Sequence, residues 1–223
     1  CLADDMGLGK TVQAITMMLD WRKQRQSKIA ILIVCPVSVL GNWRRVVHRF
    51  APGLDVVLHH GKGRAATAQE FREVVTKHDI VLTSYNLLQR DEEIMSSVTF
   101  DGVVLDEAQN IKNPHAAVSQ AARMLRATHR LALTGTPLEN RALDLWSIMA
   151  FVAPGYLGSQ QHFTHRFDRV NGPLHLRGLL SARLRPFLLR RLKRKVAPEL
   201  PDRIEERRDC EMTLGQRRYY LAE

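Results

Sequence analysis

Apolar residues along this chain alternate between two rhythms. Short apolar runs recur at 29–35, 56–59, 80–83, 103–106 and 130–134, and each predicts a strand. Between them the apolar positions take helical spacing near 11–25, 42–50, 67–77, 115–125 and 143–151, with a helical turn near 85–95. In the first of these helices Val12, Ile15, Met18 and Leu19 mark the face expected to pack inward. The run Val103, Val104, Leu105 is of the kind buried on both faces of a parallel sheet. The βαβα alternation predicts an α/β fold, a mostly parallel sheet with helices on both faces. Cys1, Leu2 and Ala3 read as the last residues of a truncated first strand. From Pro154 onward Gly and Pro breaks interrupt Arg-rich helical stretches, so the expected division is a lobe at 1–158 and a helical, basic extension at 159–223. No internal repeat and no low-complexity segment is evident, and no apolar run approaches the ~20 residues of a membrane span.

The loop before the first helix changes the picture from architecture to chemistry. Residues 3–11 read ADDMGLGKT. Gly7 and Gly9 allow a sharp turn that brings backbone N–H groups to an anion at a helix N-terminus. Lys10 reaches β- and γ-phosphates as a point charge, and the Thr11 hydroxyl suits Mg²⁺. The strict phosphate-loop pattern begins with Gly where this chain has Asp4.

A second element strengthens this reading. FDGVVLDEAQNIKN at 100–113 ends its strand in Asp106-Glu107, and open α/β sheets bind ligands at the carboxyl ends of their strands. Asp106 is a candidate for Mg²⁺ and Glu107 for orienting and deprotonating a water. Three further segments follow predicted strands: Pro36 to Trp43, Ser84 to Asn86, and Thr134 to Asn140. The first two offer small hydroxyls and backbone N–H groups that suit nucleic-acid phosphates. Taken singly, Ser38 and Ser84 read better as helix N-caps, and Trp43 as packed rather than stacked on a base. The hydroxyls of the third segment are placed to sense nucleotide state through Asp106 and Glu107.

Charge adds a partner class. The formal charge is +10, of which residues 1–163 carry +3 and residues 164–223 carry +7. A basic segment on a near-neutral nucleotide-binding lobe points to a polyanion. Arg190, Arg191, Lys193, Arg194 and Lys195 are the candidates, with a solvated or inter-lobe role as the alternative. The three cysteines, Cys1, Cys35 and Cys210, have no metal-like spacing and fit a reducing, intracellular setting.

With these motifs in view, ADDMGLGKT, ILIVCPVSVLGNW, VLTSYN, LDEAQNIKN, LALTGTPLENRALDLWSIMAFVAPGYLG and FLLRRLKRKVAPELPDRIEE stand in an order that resembles one family. It is the Snf-type family of chromatin-remodelling and double-stranded DNA translocase ATPases in helicase superfamily two. The resemblance implies a RecA-like P-loop lobe with ATP and Mg²⁺ as cofactors. It implies that Asp5, Met6, Gly7, Leu8, Gly9, Lys10 and Thr11 hold the nucleotide, that Thr11 and Asp106 hold the metal, and that Glu107 is the base. Gln109, Thr134, Gly135 and Thr136 would couple nucleotide state to DNA grip. Pro36, Ser38, Thr83, Ser84, Lys112 and Asn113 match the family's DNA-facing segments. Asp4 is itself explained, because an acid is usual there. Asp5 stands where Glu is usual, and Gln109 where many members have His.

The implied partners are double-stranded DNA, a second RecA-like lobe of the same protein and a DNA-bound protein substrate, with no membrane partner. The second lobe's motifs are not found in these 223 residues, so the chain is expected to be the first lobe of a longer motor and nearly inactive alone. The expected location is intracellular: cytoplasm if bacterial, nucleus if eukaryotic. A strand-separating helicase and a non-catalytic nucleotide-binding module that contacts DNA are the alternatives.

Overall fold

The computed structural model describes residues 1–25, 28–135, 142–167, 174–199, 201, 206 and 208–221. Along the chain run α1 (Lys10–Arg25), β1 (Ile31–Cys35), α2 (Leu40–Phe50), β2 (Val56–Leu58), α3 (Ala68–Lys77), β3 (Ile80–Ser84), α4 (Tyr85–Arg90) and α5 (Glu92–Ser96). Then come β4 (Thr99–Asp106), α6 (Ala117–Met124), β5 (Arg126–Leu133), α7 (Ala142–Val152), α8 (Gln160–Phe167), α9 (Leu174–Leu184), α10 (Lys193–Val196) and α11 (Leu214–Leu221). The five strands form one sheet in the order β2-β3-β1-β4-β5, and every pairing is parallel.

The period-2 geometry of the strands divides the core in two. Leu32 and Val34 of β1, Val81 of β3, and Val103 and Leu105 of β4 face one side. There they meet Phe71 of α3, Tyr85 and Leu88 of α4, Ala121 and Ala122 of α6, and Ile148 and Phe151 of α7. Ile31, Ile33 and Cys35, Ile80 and Leu82, and Val104 face the other side, against Ala14, Ile15 and Met18 of α1 and Leu40, Trp43 and Val47 of α2. Both faces are therefore covered, as a parallel sheet requires. On α1 the inward stripe is Ala14, Ile15 and Met18; Leu19, expected to pack, is 37% exposed.

Two local features fix the frame. Thr67 and Glu70 form a reciprocal capping box that starts α3. Gly102 lies where β4 passes α1: a Cβ there would stand 2.4 Å from a ring carbon of Trp21, which stacks on His129 of β5 with centroids 4.6 Å apart.

Residues 1–3 lie inside the sheet's plane. Leu2 bridges in parallel to Leu133 on one side and to Leu189 on the other. Its N–H donates to the Ala132 carbonyl at 2.8 Å, and the Ala3 N–H donates to the Leu189 carbonyl at 2.7 Å. The basic tail thus returns to flank the strand that feeds the glycine loop. Packing is also continuous across residue 158: Leu145 and Met149 of α7 share a cluster with Leu157, Phe163 of α8 and Leu184 of α9. Because all strands are parallel, the segments after Ala3, Cys35, Ser84, Asp106 and Leu133 leave from one edge of the sheet.

Candidate active site

The glycine loop is shaped by Gly7 and Gly9, whose φ values of 87° and 74° lie in the left-handed region. Lys10, at the first position of α1, folds back over this loop; its ammonium donates to the carbonyls of Asp4 at 2.7 Å and Asp5 at 3.2 Å. Gln13, one turn into α1, donates to the Leu8 carbonyl at 2.8 Å. Met6 projects from the tip, 78% exposed.

Asp4 is fully buried. Its carboxylate accepts the Arg191 backbone N–H at 2.8 Å and the Arg191 Nε–H at 3.0–3.2 Å, with Nη2 of the same guanidinium closing a bidentate pair. Arg191 Nη2 also donates to Gln13 Oε1 at 2.7 Å. Burial alone would raise the Asp4 pKa; the hydrogen bonds and charge of Arg191 outweigh it and hold the group below the usual carboxylate value. Next along the chain, the Asp5 carboxylate accepts the Lys193 backbone N–H at 2.8 Å. Of the basic tail residues considered for a polyanion, Arg191 is therefore committed to the loop. The acid that stands in place of the strict pattern's Gly is thus paired with a guanidinium from nearly 190 residues away. Nothing within the nine-residue motif signals this partner.

The acid pair sits at the end of β4. Asp106 Oδ1 accepts the Glu107 N–H at 3.0 Å, and Oδ2 accepts the indole N–H of Trp43 at 2.7 Å. The Tyr85 hydroxyl donates to the Asp106 backbone carbonyl at 2.7 Å. Burial raises the Asp106 pKa; the Trp43 bond and the Lys10 charge oppose the rise, and the charge of Glu107 adds to it. Beneath it the Cys35 thiol is pushed up to about 12 by burial and by the nearby Asp106 charge, which makes it an inert core group. Glu107 is the one non-glycine residue with positive φ among those described, at φ 51° and ψ 55°.

From Glu107 a side-chain chain leads to β5. Gln109 Nε2 donates to Glu107 Oε2 at 2.7 Å, and the Thr134 hydroxyl donates to Gln109 Oε1 at 2.9 Å. The two-ended Gln amide thus donates from its nitrogen and accepts at its oxygen, the pair of roles that the two nitrogens of a neutral imidazole also offer. Gly135 follows Thr134 beside Met6. Thr136 lies outside the described residues.

The six residues matched to DNA-facing segments divide. Ser38, Lys112 and Asn113 are exposed, and Pro36 is half-buried. Thr83 is buried and its hydroxyl donates to the His59 carbonyl at 3.2 Å, while the Ser84 Oγ is buried without a hydrogen-bond partner. The expectation that these two hydroxyls are offered to phosphates is therefore not met in this structure: β3 lies between β2 and β1, and both side chains are buried. The N-cap alternative fails too, since Ser84 occupies the cap position of α4 without a capping bond and Ser38 lies within a short 3₁₀ turn at Val37–Val39. Trp43 is packed as expected, and its bond to Asp106 is additional.

Magnesium at a phosphate loop needs few protein ligands, commonly one or two oxygen donors beside the phosphates. The Thr11 hydroxyl and the Asp106 carboxylate supply hard oxygens of that kind, and each Asp106 oxygen, with one hydrogen bond accepted, keeps a lone pair for a cation or its water. The donor chemistry fits.

Comparison with known proteins places the chain in a family. The SNF2-related domain model matches residues 1–222. "Putative ATP-dependent helicase/translocase YwqA" of Bacillus subtilis (strain 168) is 46% identical, over 99% of this chain and 24% of its own length. "TATA-binding protein-associated factor mot1" of Aspergillus fumigatus (strain CBS 144.89 / FGSC A1163 / CEA10) is 35% identical over 98% of this chain and 13% of its own. The chain thus spans a quarter or less of the length of these relatives. Among solved structures, the Sulfolobus solfataricus SWI2/SNF2 ATPase core in complex with dsDNA matches with a TM-score of 0.77 and 39% identity, covering 100% of this chain and 46% of that one. With the family model covering nearly the whole chain and sequence and fold in agreement, the chain belongs to the SNF2-related domain family.

Proposed function

We propose that this chain is the ATP-binding lobe of an ATP-dependent double-stranded DNA translocase. The observation that carries the reading is the convergence, at one edge of a parallel sheet, of the glycine loop, the Asp106–Glu107 pair and the Glu107–Gln109–Thr134 chain of hydrogen bonds. Lys10 leaves its loop carbonyls to meet the β- and γ-phosphates. Thr11 and Asp106 would hold a magnesium ion, which would supply neutralisation of the phosphate charge. Glu107 accepts the proton of the attacking water, and Gln109, anchored to Thr134, keeps its carboxylate aimed. A change at the phosphates passes along this chain of hydrogen bonds to β5, and so to the loop that follows Thr134.

Duplex rather than single-stranded DNA is favoured because Ser38, Lys112 and Asn113, the exposed candidates near this edge, suit phosphates and include no aromatic residue on which separated bases would stack. The second RecA-like lobe completes the site in this reading, and a DNA-bound protein is the load. The test is nucleotide binding and turnover by the full-length protein. Lys10→Ala weakens ATP binding and abolishes turnover; Glu107→Gln binds ATP and does not hydrolyse it. Normal turnover by Glu107→Gln would overturn the assignment of the base.

A further inference from the structure

Trp43 is buried in the core between α2 and the sheet, yet its one polar atom is directed to the candidate metal carboxylate. It comes from the fourth position of α2, where Leu40, Trp43 and Val47 form the inward stripe. Packing holds the ring rigidly: only 1% of the residue is exposed. Its Nε1–H meets Asp106 Oδ2 at 2.7 Å, across 63 residues of sequence.

An aspartate carboxylate, carried on a single methylene, is easily turned, since the torsion about its terminal bond is broad and roughly two-fold. Two donors on the carboxylate remove that freedom here, and a third steadies the backbone beside it. Tyr85 holds the backbone carbonyl, the Glu107 N–H holds Oδ1, and Trp43 holds Oδ2. Trp43 reaches the second oxygen from α2, and with the Glu107 N–H on the first it sets the plane of the carboxylate.

We propose that Trp43 is a positioning residue, whose indole N–H fixes the Asp106 carboxylate in the orientation that receives the magnesium of bound nucleotide. The inference rests on the reading of this site as an MgATP site. Groups that hydrogen-bond metal ligands from behind typically contribute about 10–100-fold to metal affinity. A tryptophan that served only to fill the core would contribute to folding and leave the metal dependence of nucleotide binding unmoved.

The test uses the full-length protein and a fluorescent ATP analogue, titrated with magnesium and separately in excess chelator. Trp43→Phe keeps an aromatic ring and removes the donor. Replacement of Trp43 by benzothienylalanine keeps the ring shape and removes only the N–H, so it decides the matter if the Phe variant folds poorly. Both are expected to bind the analogue normally in chelator and to need about tenfold more magnesium for half-saturation. In an Asp106→Asn background, Trp43→Phe is expected to add no further shift, because its effect runs through Asp106. An unshifted magnesium requirement in both Trp43 variants, beside a shifted one in Asp106→Asn, overturns this inference alone. Equal loss of binding with and without chelator in the isosteric variant also overturns it. An Asp106→Asn protein with unaltered magnesium dependence overturns the metal assignment itself, and this inference with it.

Discussion

Glu107 holds its carboxylate in place with a backbone conformation that costs stability. Its φ of 51° and ψ of 55° put a Cβ-bearing residue in the left-handed region. There the Cβ approaches the following carbonyl oxygen, at about 1–2 kcal/mol. Replacing Glu107 by Ala removes the bond from Gln109 and keeps that penalty. Replacing it by Gly removes the same bond and releases the penalty, against a glycine entropy cost of about 0.5–1 kcal/mol. The difference between the two variants therefore isolates the backbone, and Glu107→Gly should be the more stable by roughly 0.5–1 kcal/mol. At the size of this chain each kcal/mol moves the midpoint by about 2–4 °C, so the expected gap is about 1–4 °C. Thermal unfolding of the two variants side by side measures it, with urea unfolding as a second axis. Neither variant should hydrolyse ATP in the full-length protein. A Glu107→Ala protein as stable as Glu107→Gly, or more so, would show that the turn is not strained and refute the reasoning.

Two further perturbations test the frame around the site. Gly102→Ala should destabilise by about 1–3 kcal/mol, because the new methyl meets the Trp21 ring and must push it off His129; unchanged stability with unchanged Trp21 fluorescence would contradict the packing. Arg191→Ala should lower the unfolding midpoint at pH 7 by stranding the buried Asp4 carboxylate. Arg191 holds the Asp4 pKa below its unfolded value of about 3.9, so the pair's contribution is present above that value and is lost as pH falls through the folded pKa. The deficit of the variant should accordingly be largest near neutrality and shrink below about pH 4; a deficit constant from pH 7 to pH 3 would assign it to lost packing instead.

Much of the fold was legible because it depends on local periodicity. Strands β1, β3 and β4 are short runs buried on both faces, and α2 and α3 carry their apolar residues on one side, so period alone separates them. β5 begins at Arg126, earlier than expected, because its first half is polar and partly exposed and carries no apolar signal. The glycine loop and the acid pair were legible for a different reason: their chemistry needs particular residues at fixed spacing.

What escaped the sequence is contact across distance. Arg191 reaches Asp4 and Trp43 reaches Asp106 because the sheet brings strand ends together, and no short-range pattern encodes either pair. Thr83 and Ser84 looked available at a strand end, yet β3 lies between β2 and β1 and both side chains are buried. The left-handed turn at Glu107 had no signal either, since the residue most suited to it, glycine, is not there.

The central claim is that the lobe serves a motor that moves along intact duplex. Two assays on one preparation of the full-length protein test it: ATP-dependent displacement of a third strand from a triplex, and separation of a forked duplex. Phosphate contacts carry no direct sequence information, and the exposed candidates Ser38, Lys112 and Asn113 offer no aromatic platform for separated bases. The account predicts triplex displacement that depends on ATP and stops with Glu107→Gln, with the forked duplex left paired. Efficient unwinding of the fork without triplex displacement would contradict it and assign the chain to a strand-separating helicase.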